Sequence, residues 1–410
     1  MFKKTNGLML AGLALLVAPL AACGGGGGDE ITLKVWAPTE DKAVMEHIIA
    51  EFQKTEAGAN IAFDLKHVKE GEVKAELDKD LEAAADVFAL VDDNLTELVK
   101  TNNVLEVAGG FKTRAIAANE DWTIDAATRN NKLYGFPQTS DNTYFLWYNK
   151  ALISDAQIGN LETLLATAQT AGLKFEFDIS DSWMGTSLFL SGGGSISVTP
   201  ASTPEGSDIQ NCNYNTAGPV AAAEAAFALK GTYNTTWTKN NNLVTGMTAA
   251  TPTVIAGVGG TWQYADLLAT LGNNLGAAKL PTIRVGGIDK QLGSFRSAKI
   301  VSVKANTAHP NEALAFAEFS TNFASQKYRF EQRGIGPSNL EVNESPAVGN
   351  SVMLSAIAAQ NEFGVNQATS VTGGYWDPVK AIGGMIMLQS WSPYANAQAA
   401  LNAAVDQMNN

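Results

Sequence analysis

ITLKVWAPTEDKAVMEHIIAEFQ (residues 31–53), followed by IAFDLKH (61–67) and VFALVDDN (87–94), is the text that decides the fold. Ile31, Leu33 and Val35 alternate with polar residues and end at Trp36, which is the period of a strand. Thr39 stands where a helix N-cap belongs, and Val44, Ile48, Ile49 and Phe52 then share one helical face. Ile61, Phe63 and Leu65 alternate again, and Val73, Leu77, Leu81 and Ala84 are spaced for a second helix. The run from Val87 to Val91 is apolar throughout, as in a strand buried on both faces. Asp92 or Asp93 then caps a helix carrying Leu95, Leu98 and Val99. This βαβαβα order predicts an α/β fold with a parallel sheet covered by helices. Ligands of such sheets bind beyond the C-terminal ends of the strands. Here those ends are residues 36–41 and the triplet Asp92-Asp93-Asn94.

Further along, LYGFPQTSDNTYFLWYN (133–149) is extended at both ends with an irregular polar centre, which predicts a chain crossing between two lobes. Residues 192–215, rich in Gly, Ser, Thr and Asn, are expected to form a loop excursion. Residues 217–229 are Ala-rich and helical in pattern. Ile300, Val301 and Val303 mark another strand. Residues 311–321 form a helix that packs through Ala313, Leu314, Ala317 and Phe319, and Ala-rich helical text resumes at 395. With 410 residues the chain is long enough for two domains with real cores.

At the N-terminus, Lys3 and Lys4 precede an apolar run over residues 8–18, too short to span a bilayer stably. Leu20-Ala21-Ala22-Cys23 resembles the bacterial lipobox, which implies export, cleavage before Cys23 and a diacylglycerol on its thiol; the other reading is an ordinary signal peptide with a chance cysteine. Residues 24–28 are all glycine and read as a flexible tether, and no Lys-Ser or Lys-Thr follows to make a phosphate loop. With Cys23 lipidated, Cys212 is left alone and no intramolecular disulfide forms, so stability must come from burial. The net charge of -13 argues against nucleic acid and against a polybasic membrane contact.

Several segments, in order, resemble the family 1 extracellular solute-binding proteins in their maltose and maltodextrin-binding branch. They are Leu33-Lys34-Val35-Trp36 with its helix, Asp86-Val87-Phe88-Ala89, Tyr134-Gly135-Phe136-Pro137 through Trp147-Tyr148-Asn149-Lys150, and Gly259-Gly260-Thr261-Trp262-Gln263-Tyr264. Leu280-Pro281-Thr282, Gly293-Ser294-Phe295, Gly334-Ile335-Gly336-Pro337-Ser338 and Tyr375-Trp376-Asp377-Pro378 complete the series. The resemblance implies two α/β lobes joined by hinge strands, one of residues 31–138 and 300–336, the other of 139–299 and 337–410. It further implies a monomeric, exported sugar receptor that works without catalysis, cofactor or metal. Its partners would be an oligosaccharide and a membrane permease with a separate ATPase, and the lipid anchor would hold it at the membrane.

A sugar presents apolar C–H faces and a rim of hydroxyls, so its site needs flat aromatic surfaces and bidentate polar groups. By the resemblance, Trp262 and Trp376 are stacking platforms, Trp183 is a third beside Asp181, and Tyr264 and Tyr375 add surface. Asp141 and Asp181 are hydroxyl acceptors, Glu40, Asp41 and Lys42 supply an acid-plus-lysine pair, and Asp93 offers a carboxylate after the third strand. Three positions depart from the maltose-binding pattern: Leu90 replaces a tryptophan, and Asn94 and Lys380 replace arginines. They put the particular sugar in doubt and shift the stacking surface to the second lobe.

Two other functions compete. A glycan-cleaving enzyme would use paired carboxylates, yet no local motif marks a pair and no Gly-x-Ser-x-Gly elbow is present. His47, His67 and His309 have no metal-like spacing. A receptor for amino acids would want an arginine near its loops, and none of the six arginines from Arg114 to Arg333 lies in those named; a polyamine would also suit acids and aromatics.

Overall fold

The computed structural model describes residues 31–201, 207–239 and 242–410; the leader, Cys23 and the glycine tether lie outside them. β1 (Ile31–Ala37) pairs in parallel with β2 (Ile61–His67) on one side and β3 (Val87–Val91) on the other. The helices between and after them are α1 (Lys42–Phe52), α2 (Val73–Lys79) and α3 (Leu95–Lys100). Their apolar faces close a core that includes Leu33, Val35, Ile48, Phe52 and Phe88. A later stretch, residues 298–317, completes that core with Ile300, Val303 and Phe316. α2 ends before Leu81 because the Asp80 carboxylate accepts the backbone N–H groups of Glu82 and Ala83, a turn that competes with the helix.

Short 3-10 turns, Thr39–Asp41 and Asp92–Asn94, lead into α1 and α3. No side chain caps either helix, so the expected capping by Thr39 and by Asp92 or Asp93 is not what forms there. The aspartates are turned to other partners.

The long strand Phe136–Asn149 pairs antiparallel with the strand Ser294–Val303, from Phe136 opposite Val301 to Thr143 opposite Arg296. The second of these also pairs with β3. Beyond Thr143 the first one pairs with the strands Val254–Gly260 and Leu275–Ala278. Hydrogen bonding therefore runs unbroken from one lobe's sheet to the other's through these two crossing strands. Phe136 and Ile300 belong to the first core; Tyr144 and Phe295 belong to the second, with Phe177, Leu188, Trp237 and Ile382. A third crossing, residues 334–338, follows the helix Phe323–Arg333; its Ser338 N–H donates to the Gln326 side chain and its Ser338 hydroxyl to Asn119. Two α/β lobes on three crossings result.

The region expected to be a loop excursion holds an antiparallel hairpin, Ile196–Thr199 with Ile209–Cys212. Cys212 is buried in the second core beside it, and burial pushes its thiol pKa up to about 12, so it stays a neutral thiol. Among the described residues no helix is long and apolar enough to cross a membrane.

Candidate functional site

The first lobe's strand ends form one rim. At the end of β1, Glu40 and Lys42 are exposed, and Lys42 Nζ lies 3.9 Å from Glu46. Asp41 is buried instead: Arg329 Nε donates to its Oδ2 at 3.0 Å and Arg333 to its Oδ1. Burial alone would raise the Asp41 pKa, but the two guanidinium groups outweigh it and hold it below the usual carboxylate range. Both of its oxygens are thus already engaged. These arginines sit on the helix Phe323–Arg333, almost three hundred positions away, which is why no local pattern placed them here.

After β2, Glu70 is buried and pairs at 2.9 Å with Lys299 of the second crossing strand, a contact the sequence did not signal. After β3, Asp93 reaches solvent between crowding neighbours; desolvation raises its pKa, and it accepts the Asn94 amide at 2.9 Å. Its neighbour Asp92 is wholly buried, accepts the Ser297 hydroxyl, and leaves its second oxygen unpaired. Burial pushes its pKa up to about 7.

The second lobe supplies an aromatic wall. Trp262, on a 3-10 turn after the strand Val254–Gly260, is 56% exposed. Its ring centre lies 6.0 Å from that of Trp183, which meets Tyr144 edge-on at 4.7 Å. Trp183 Nε1 donates to Gln367 at 2.8 Å, so the indole is fixed in place. Asp181 caps the helix Ser182–Ser191 by accepting the Trp183 N–H at 2.8 Å while remaining exposed. Trp376 is partly exposed at the start of the helix Trp376–Leu388. The two tyrosines are placed differently. Tyr375 is 0% exposed, its hydroxyl shared with Thr186 and Tyr214, so it supports Trp376 from below and presents no surface. Tyr264 stacks on buried Trp147 at 5.9 Å and backs the wall near Gly334.

Between the Asp93 end of the rim and Trp376 lies a cavity of about 880 Å³, in the size range of small-molecule sites; of the expected site residues, Asp93 and Trp376 are the ones that line it. Asp93, Asn94, Thr96 and Arg129 line it from the first lobe, and Gln367, Thr372 and Trp376 from the second. Arg129 was not expected there. Its guanidinium donates to Thr96 and to the backbone oxygens of Asp92, Ala126 and Thr128, so four of its five N–H groups are engaged by the protein. Another cavity, of about 690 Å³, lies among Lys174, Lys230, Trp237 and Leu388. It touches one lobe only and none of the expected site residues.

Asp141 sits where the crossings meet. It is on the first crossing strand, its Oδ2 accepts the Gly336 N–H of the third at 3.0 Å, and it faces Lys299 on the second. Burial raises its pKa, opposed by Lys299 and by the Gly336 N–H. For Lys299 burial works toward a lower pKa, but Glu70 and Asp141 outweigh it and the pKa is raised, so the lysine stays charged.

A model of the bacterial extracellular solute-binding proteins matches residues 47–355, most of the chain. The chain belongs to that family. Membership implies an exported, solute-binding protein. The chain has no significant match among curated proteins. Among solved structures it is similar to a maltodextrin-binding protein from L. casei without ligand, at 19% identity and a TM-score of 0.81, covering 92% of this chain and 99% of that one. It is also similar to a cyclo/maltodextrin-binding protein complexed with maltotetraose, at 20% identity and a TM-score of 0.77, covering 94% and 98%. A maltose-binding protein from Listeria monocytogenes in complex with maltose aligns at 20% identity and a TM-score of 0.73, covering 92% and 98%. These likenesses establish the two-lobed solute-binding fold.

Proposed function

We propose that this protein is the sugar-capturing receptor of an ABC importer, taking maltose, maltodextrin or a related oligosaccharide into the cleft between its lobes. The observation that carries the reading is the second lobe's aromatic wall: exposed Trp262 beside partly exposed Trp183, flanked by the exposed carboxylate Asp181, with Trp376 across a cavity from Asp93. Flat apolar faces with carboxylate acceptors match the two surfaces of a pyranose. The maltose- and maltodextrin-binding proteins of the same fold support the sugar class.

In this reading the ligand lands on the second lobe, and the first lobe closes over it by rotation about the three crossings near residues 138, 299 and 336. Glu40, Lys42 and Asp93 would then meet the ligand from the closing side, and Asp41 would act through the arginine pair that fixes its turn. The closed face would dock on a permease whose own ATPase supplies energy. A diacylglycerol on Cys23 with the glycine tether would keep this monomeric receptor at the membrane's outer face.

Thermal shift and calorimetry of residues 29–410 against sugars, amino acids and polyamines test the proposal. The expected result is binding of a linear oligosaccharide, weakened about tenfold or more in Trp262→Ala and in Trp376→Ala. Because Trp262 is largely exposed, its loss should leave the melting temperature of the free protein nearly unchanged. Stabilisation by amino acids or polyamines alone would keep the fold and overturn the sugar assignment.

A further inference from the structure

The cleft has a wall that closes one end. The hairpin Ile196–Thr199 with Ile209–Cys212 belongs to the second lobe, yet its turn end reaches the first: Lys100 Nζ, at the end of α3, donates to Asp208 Oδ2 at 3.0 Å. The pair is only partly exposed, with 30% of the lysine and 15% of the aspartate side chain accessible. Asp208 is pre-positioned, because its Oδ1 accepts the Ala201 N–H at 2.9 Å across the hairpin. Val198, Pro200, Ala201 and Asp208 line the same cavity as Asp93 and Trp376.

The wall is also fastened to the aromatic platform. Gln210, buried on the hairpin's second strand, donates to the Ser370 carbonyl at 2.8 Å and accepts the Thr372 N–H at 2.8 Å. Residues 370–372 lead directly into the turn Gly373–Tyr375 that presents Trp376. A continuous chain of contacts thus runs from α3 through Lys100, Asp208 and Gln210 to Trp376, and none of it passes through the three crossings.

We infer that the Lys100–Asp208 pair is an interlobe strap that makes the hairpin an end wall of the cleft, so that it sets the longest saccharide the site accepts on that side. The chain-length part rests on the sugar reading; the strap itself does not. A ligand that lies on Trp262 and Trp183 and continues past Trp376 meets the hairpin, which cannot move aside while Asp208 is held by the opposite lobe. The pair also biases the protein toward lobes held together on the hairpin side, since both partners belong to the protein and need no ligand to meet. A single ion pair that still reaches solvent is weak and partly screened by salt, which suits a fastening that must open for the ligand to enter.

Two measurements on the exported chain decide it. The first is the interlobe distance distribution of the ligand-free protein, from spin labels placed on the outer faces of the two lobes. Lys100→Ala and Asp208→Ala should each move the distribution toward longer distances, and high salt should do the same to the wild type. The charge-reversed double variant, Lys100→Asp with Asp208→Lys, should restore part of it, since a lysine at 208 cannot accept the Ala201 N–H. An unchanged distribution in both single variants, each shown folded by its melting transition, would overturn the strap. The second is calorimetry with maltose through maltoheptaose. The wild type should lose affinity beyond a set length, and in the single variants the affinity for the longest ligands relative to maltose should rise about two- to fivefold. A length profile identical in all variants would overturn the end wall. If none of these sugars binds any form, the sugar reading fails, and the distance measurement still rules on the strap.

Discussion

At the scale of single residues, the candidate site depends on what surrounds each side chain as much as on the side chain itself. Trp262 is open because its ring folds back over Gly260: a Cβ on Gly260 would lie 1.9 Å from the indole. The Gly260 backbone is extended, so alanine meets no conformational penalty there and the whole effect must fall on the ring. Gly260→Ala should therefore displace Trp262 and weaken ligand binding by about as much as Trp262→Ala, roughly tenfold, with a fluorescence change from the moved indole. Unaltered affinity and emission would show that the ring pose does not matter. Residue identity pointed to Trp183, Trp262, Trp376, Asp93 and Asp181 because each stands in a polar loop or at a helix start. It could not tell Tyr375 from Trp376. Adjacent residues at a helix start point in different directions, and here Tyr375 turns inward to Thr186 and Tyr214. Nor could it place Arg329 and Arg333 on Asp41, a meeting fixed only when the helix Phe323–Arg333 packs against α1.

At the scale of elements, β1, β2, β3 and the crossing strand Phe136–Asn149 were legible because alternation, an unbroken apolar run and a polar interruption each have one structural meaning. The hairpin at 196–212 was not. Its residues are small and polar, and its register is held by contacts such as Gln210 to Ser370 that lie far away in sequence. The junction of β3 with the second crossing strand carries a testable consequence. Asp92, at the end of β3, is buried against Ser297 with one oxygen unpaired, and the charged groups around it are Arg129 and Asp93. Its pKa in the folded protein, about 7, lies above its ordinary value of 3.8. The folded state therefore holds a proton that the unfolded state releases between these values, so this carboxyl costs the fold stability as pH rises from 4 to 7. The full effect is on the order of 4 kcal/mol, reached above pH 7. Asp92→Asn, which keeps an acceptor for Ser297, should remove that slope and be more stable than the wild type at pH 8. Denaturant midpoints from pH 4 to 8 that run parallel for the two proteins would refute the assignment.

At the scale of the whole molecule, the lobes can move only as the three crossings allow, and Asp141 binds all three. It lies on the first, accepts the Gly336 N–H from the third and faces Lys299 on the second, while Glu70 holds Lys299 to the first lobe. The sequence offered Asp141 as a hydroxyl acceptor for the ligand, and the geometry adds a mechanical role that predicts something different. An acceptor for the ligand would lower affinity when removed and leave the empty protein's shape alone. A knot at the hinge would change the empty protein first. Asp141→Ala orphans the buried Gly336 N–H and removes one of the carboxylates acting on Lys299, at a cost of about 1–3 kcal/mol in stability. It should also broaden the range of lobe openings in the ligand-free state. Asp141→Asn keeps an oxygen for Gly336 and loses only the charge, so it should fall between Ala and wild type. Small-angle scattering of the three proteins with and without ligand separates the roles. A larger and more variable radius of gyration in empty Asp141→Ala, still contracting when ligand is added, is the hinge result. Scattering curves that superimpose without ligand, with affinity alone reduced, would return Asp141 to the binding surface.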